Sequence, residues 1–196
     1  VNYAAAFETR NQTHDSDVKH EEGDTYSAVP NEPTSLHDRP SHYDATYIAY
    51  VDISAKVEQW NKASAIARSN SRQIVYLVPS KTKQRLRAFL LARHEPKSVT
   101  YRVVALFLYL AVKDDLPRIS QVVFDRDYSG EHAGAAIRNL FLGHLRRNAL
   151  HKPVTFLRFE NLRGTKADHE ARGAYEGKKP DARIVGYAEL EVLLKE

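Results

Sequence analysis

Between Ile119 and Glu131 the chain reads I-S-Q-V-V-F-D-R-D-Y-S-G-E: an apolar run ends in two aspartates spaced i, i+2 and turns at Gly130 into a helical pattern. Val122, Val123 and Phe124 suit a short buried strand, and in an extended strand residues i and i+2 lie on one side. Asp125 and Asp127 are therefore expected to project together from the carboxyl end of a strand, where ligands of α/β sheets bind. Carboxylates held that close repel unless a proton or a cation sits between them. An oxygen-seeking divalent ion such as Mg²⁺ suits the pair; a solvated loop that merely starts the next helix is the alternative reading.

A chain of 196 residues carries one domain with a proper core, plus a tail. It has no cysteine, which excludes disulfides, zinc–thiolate sites and thiol nucleophiles. The longest apolar run, Val103 to Val112, is about half of what a bilayer needs. Val1 to Phe7 has neither the basic start nor the apolar stretch of a signal peptide. The expectation is a soluble, intracellular (cytoplasmic) protein with no membrane partner.

Charge is unevenly placed. Residues 1–45 hold nine Asp/Glu against three Arg/Lys, net −6, so with +4 overall the remainder carries +10. Such a balance suits a polyanion-binding surface behind an acidic arm. Residues 1–45 also lack apolar periodicity, which predicts a disordered or extended N-terminal arm, available to a protein partner. Its histidines, His14, His20, His37 and His42, are too widely spaced to favour a metal over a solvated tail.

The single α/β domain is expected over 46–196. Tyr47 to Asp52 reads as a strand ending in an aspartate. The next stretch fits either a helical face or, through the turn chemistry of Ser69-Asn70-Ser71, a hairpin into the strand Gln73 to Val78. Lys81 to His94 reads as a helix capped by Pro79-Ser80 and broken by Pro96. Ser98 is expected to cap a buried helix over Val99 to Lys113. The strand Arg118 to Asp125 follows, then an amphipathic helix from Ala133 to Arg147 and a strand opened by Pro153. After these come a polar turn over Asn161 to Thr165, a helix over Lys166 to Tyr175, and a short strand with a last helix after Ala182.

The order strand with Asp, hairpin, buried helix, strand with Asp, helix, strand, helix with Asp resembles the ribonuclease H-like fold. The residues that carry the resemblance are Y-V-D-I-S, V-V-F-D, and V-T-F-L-R-F-E-N-L-R-G-T followed by K-A-D-H-E-A. It implies an α/β mixed sheet flanked by helices, with Asp52, Asp125 and Asp168 as catalytic, metal-binding carboxylates joined by Asp127. The family places a Glu on its central helix; Val99 to Val112 has none, which leaves Glu95, Glu58 or Asp127 to compensate. A second, competing resemblance is to the D-x-D-x-x-G-E signature of Toprim domains. There the Gly permits a tight turn, and an earlier strand closes on a Glu where this chain has Leu77 or Val78.

Both resemblances imply one chemistry: clustered carboxylates hold Mg²⁺ (or Mn²⁺) for in-line phosphodiester cleavage. The expected partner is nucleic acid (RNA or DNA), tracked by Lys81, Lys83, Arg85, Arg87, Arg146, Arg147, Arg163 and Lys166, with a merely solvated charged face as the alternative for the Lys81–Arg93 helix. A catalytically inactive nucleic-acid-binding or assembly module is the alternative. A nucleotide-binding α/β domain is disfavoured, because neither G-x-G-x-x-G nor G-x-x-x-x-G-K occurs.

Overall fold

A computed structural model describes residues 46–196, apart from 71, 129, 149, 154, 155 and 196. The arm expected over residues 1–45, with its four histidines, lies outside the described residues. Six strands form one mixed sheet in the order β5-β4-β1-β2-β3-β6. Strands β1 (Tyr47–Ser54), β2 (Ser64–Ser69) and β3 (Ile74–Val78) run antiparallel to one another in sequence. Strands β4 (Ile119–Asp125) and β5 (Leu157–Glu160) add parallel to β1, and β6 (Arg183–Ile184) adds parallel to β3. The stretch after β1 is thus the hairpin rather than the helix. Asn70 makes its turn at φ 92°, a conformation that asparagine tolerates better than most residues.

The pleat sorts side chains to two faces. Ala49, Val51, Ile66, Tyr76 and Val122 face a helical layer made of α1 (Ser80–Leu91), α2 (Pro96–Val112), α3 (Glu131–Arg147) and α5 (Tyr187–Lys195). Helix α2 is buried without a break from Val103 to Val112, as a helix apolar all round must be. The opposite face carries Ala65, Ala67 and Val75, packed against Ala171 and Ala174 of α4 (Lys166–Tyr175). Small side chains on both partners let α4 lie close to the sheet. Among the described residues, no helix is long and apolar enough to cross a membrane.

Several boundaries differ from the sequence reading: β4 ends at Asp125 and Arg126–Tyr128 is a 3₁₀ turn, so Asp127 does not continue the strand beside Asp125. Pro96 opens α2 instead of merely ending α1, because a proline in the first helical turn lacks an N–H that would have no partner anyway. Of the Pro79-Ser80 pair expected to cap α1, Pro79 occupies the cap position, Ser80 is the first helical residue, and no side chain caps the helix. Strand β5 begins only at Leu157, and just before it Phe156 N–H donates to the Pro153 carbonyl (2.9 Å).

Arg68 of β2 has no solvent exposure in its side chain and pairs with Asp115, in the 3₁₀ turn Lys113–Arg118 that follows α2. Its Nη2 also donates to the Arg72 carbonyl (3.4 Å), whereas its Nε and Nη1 are buried without a hydrogen-bond partner. This ion pair ties the centre of the sheet to the helical layer.

Candidate active site

Parallel pairing sets the site. Val51 lies opposite Phe124, which brings Asp52 and Asp125 level at the carboxyl ends of adjacent strands. Both follow a residue packed into the helical layer, so both turn toward α4, Asp52 beside its antiparallel partner Ala67. The alanine contacts seat the first turn of α4 there, and with it Asp168. A cleft of about 540 Å³ results, with Asp52, Asp125, Asp127 and Asp168 in its lining. All four sequence-predicted aspartates thus share one cleft.

Their electrostatics are those of crowded like charges. Asp52 is 6 % exposed. Burial, then the charges of Asp125 and Asp168, push its carboxyl from the ordinary 3.8 up to about 7, with a smaller contribution from Asp127. The other two principal carboxylates are anchored to backbone. Asp125 Oδ1 accepts from Arg126 N–H (2.9 Å) and from Leu162 N–H (3.2 Å), tying β4 to the loop after β5. Asp168 Oδ2 accepts from Gly164 N–H (2.8 Å), and its Oδ1 meets Arg172 Nη2 at 3.4 Å. Gly164 sits at φ 79°, the left-handed region that favours glycine, and this conformation presents its N–H to Asp168. Thr165 Oγ1 caps α4 by accepting from Asp168 N–H (3.4 Å). Thr165→Ala is expected to destabilise the fold by about 1 kcal/mol, measured by denaturant unfolding.

The donor set is all oxygen, which matches a hard divalent cation. As the side chains stand, no group of three or more His, Asp or Glu among the described residues is arranged to hold a metal ion. Neither Glu58 nor Glu95 is in the lining: Glu58 Oε2 accepts from Tyr128 Oη (3.2 Å), and Glu95 precedes α2. Tyr128 in turn accepts from Val57 N–H (2.9 Å) and stacks on Phe124 with centroids 5.9 Å apart. That clasp holds the β1–β2 connection against the segment after β4.

Basic and polar groups complete the lining: Lys56, Arg126, Asn161, Arg163 and Arg172. Of these, the sequence singled out only Arg163. Arg172 stands four residues after Asp168 in a helix, a spacing that predicts such a pair; Lys56 and Asn161 lie in loops and carried no signal. The other predicted phosphate contacts fall on different elements. Lys81, Arg85 and Arg87 are exposed on α1, Arg146 and Arg147 in the last turn of α3, and Lys166 at the start of α4. Lys83 is a correction: it is fully buried, and its ammonium donates to Ser64 Oγ (2.8 Å) and to the Gln59 carbonyl (3.1 Å). Burial lowers its pKa to about 8, and it cannot reach a bound polyanion. His132 and His169 are exposed and absent from the lining. Comparison with protein-family models, with curated proteins and with solved structures finds no match to this chain.

Proposed function

We propose that this chain is a nucleic-acid-binding phosphodiesterase of ribonuclease H-like type that uses Mg²⁺ or Mn²⁺. One observation carries the reading: Asp52, Asp125 and Asp168, far apart in sequence, face one cleft, and their mutual repulsion helps push Asp52 up to about 7. The sheet supports the fold assignment, since β1, β2 and β3 form an antiparallel meander to which β4 and β5 add parallel on the β1 side. Two observations weigh against the Toprim reading. Gly130 lies at φ −47°, which any residue adopts, and the strand ending in Leu77 and Val78 is three places from β4, with β1 and β2 between them.

A divalent cation would be held by Asp52, Asp125 and Asp168, with Asp127 at the edge, and would supply charge stabilisation and an activated water. The chain's own residues bind and orient. Arg126, Arg163 and Lys56 offer cationic donors for phosphate oxygens around the acidic floor, and Arg172 holds Asp168 in place. With Asp52 raised to about 7, the carboxyl is about half protonated at neutral pH, so binding of a cation there would release part of a proton.

The test is cleavage of RNA, DNA and hybrid duplexes with Mg²⁺ or Mn²⁺. Metal-dependent cleavage that disappears with chelator and in Asp125→Asn is expected. Equal, metal-independent background from wild type and Asp125→Asn would overturn the reading. The competing reading is an inactive binding module: among the described residues no three carboxylates are arranged to hold a metal as the side chains stand. It requires salt-dependent binding that chelator leaves unchanged, without cleavage.

A further inference from the structure

On the helical layer, across the sheet from α4, lies a separate cavity of about 280 Å³. Its charged and titratable lining comes from three helices and their ends: Arg93 and His94 after α1, Arg102 from α2, and His144 and Arg147 from α3. Among the described residues, no carboxylate is in that lining. Phe89, Leu90, Leu140 and Leu194 supply the apolar walls.

Two of the three guanidinium groups are held in place. Arg147 Nη2 donates to His144 Nδ1 (2.6 Å). A guanidinium can only donate, so His144 carries its hydrogen on Nε2. The His144 ring is buried and stacked on Tyr109 at 5.4 Å and 12°, which fixes the angle at which it meets Arg147. Arg93 lies over the Phe89 ring (3.8 Å to the centroid) and donates to the Phe89 carbonyl at 3.0 Å. Arg102 Nε is buried with no hydrogen-bond partner, a desolvated donor of the kind that folded proteins rarely leave unpaired.

We propose that this cavity binds a phosphate monoester. A phosphate dianion presents several oxygens to guanidinium forks and balances more positive charge than one carboxylate does. The apolar walls suit the organic group behind the phosphate, and the volume, near the roughly 300 Å³ lower end of ligand pockets, suits a small one. The local field supports the choice. Burial and then the charges of Arg147 and Arg102 lower His144 to about 4, and His94 is lowered by burial, Arg102 and Arg93. Positive potential with no carboxylate among the described lining residues is what a bound anion would relieve. The ligand is either a free phosphorylated metabolite-sized molecule or the phosphorylated end of a nucleic-acid strand. The site does not depend on the carboxylate cleft.

Isothermal titration calorimetry on the full chain tests this with inorganic phosphate, 5′-AMP, acetate, and one oligonucleotide carrying either a 5′-phosphate or a 5′-hydroxyl. Phosphate and both phosphorylated probes should bind. Arg102→Gln and Arg147→Gln should each weaken binding about tenfold or more, while Asp125→Asn leaves it unchanged. Arg93→Gln, at an exposed position, serves if either variant fails to fold. Tighter binding of 5′-AMP identifies a free monoester, and tighter binding of the 5′-phosphorylated strand identifies a strand end. No phosphate binding at about 1 mM, acetate binding as tightly as phosphate, or arginine variants that bind like wild type would overturn the assignment.

Discussion

Asp52→Asn is expected to stabilise the folded chain by on the order of 4 kcal/mol at about pH 9 and, under the proposed function, to remove metal-dependent cleavage. The sign follows from linkage. Asp52 titrates at about 7 in the folded protein against an ordinary 3.8, so the folded state holds this proton more tightly than the unfolded chain does. Its contribution to stability is complete below 3.8 and is lost as the pH rises through about 7. Asparagine is neutral throughout and escapes that loss. Wild type and variant should therefore converge in acid and separate in alkali, as followed by urea unfolding across the pH range. Added Mg²⁺ should narrow the alkaline gap by stabilising wild type alone. A stability difference that does not change with pH would show that the carboxyl is not held up by burial and its neighbours.

Asp115→Ala is expected to destabilise by about 3–5 kcal/mol. The Arg68 side chain has no solvent exposure, and two of its nitrogens already lack partners, so loss of Asp115 leaves a buried guanidinium with only the Arg72 carbonyl. Unlike lysine, it cannot escape by deprotonation. The double variant Arg68→Met with Asp115→Ala should recover most of the loss, because it removes the buried charge together with its partner. Denaturant unfolding of the two singles and the double gives the coupling directly. If the double were as unstable as Asp115→Ala, packing rather than charge would be the cause.

The aspartates at the strand ends were legible because each closes an apolar run or opens a helix: Asp52 after Y-I-A-Y-V, Asp125 after V-V-F, Asp168 after a polar turn. Their convergence was not. It depends on β4 choosing β1 as its parallel neighbour and on Ala65, Ala67, Ala171 and Ala174 letting α4 approach, and small residues give no directional signal in a sequence. Lys83 was misread by charge. It stands at i−3 and i−7 from Leu86 and Leu90, both buried, so helical spacing places it on the inward face. The two histidines and three arginines of the helical-layer cavity stand between positions 93 and 147. Only the packing of α1 and α3 beside α2 brings them together. The turn after β1 resisted prediction for a related reason: its apolar spacing satisfies both periods, and pairing with β3 decides between them.

The register of β1 makes the site intolerant of one kind of change. Inserting or deleting a single residue within Tyr47–Ser54 would swap the two sides of the strand, sending Asp52 among the apolar side chains of α2 and Val51 toward α4. A two-residue change would keep the side but slide the carboxylate about 6.6 Å along the sheet, out of step with Asp125. Length variation among relatives of this chain should therefore gather in the Ala55–Ala63 connection, leaving the strand itself constant.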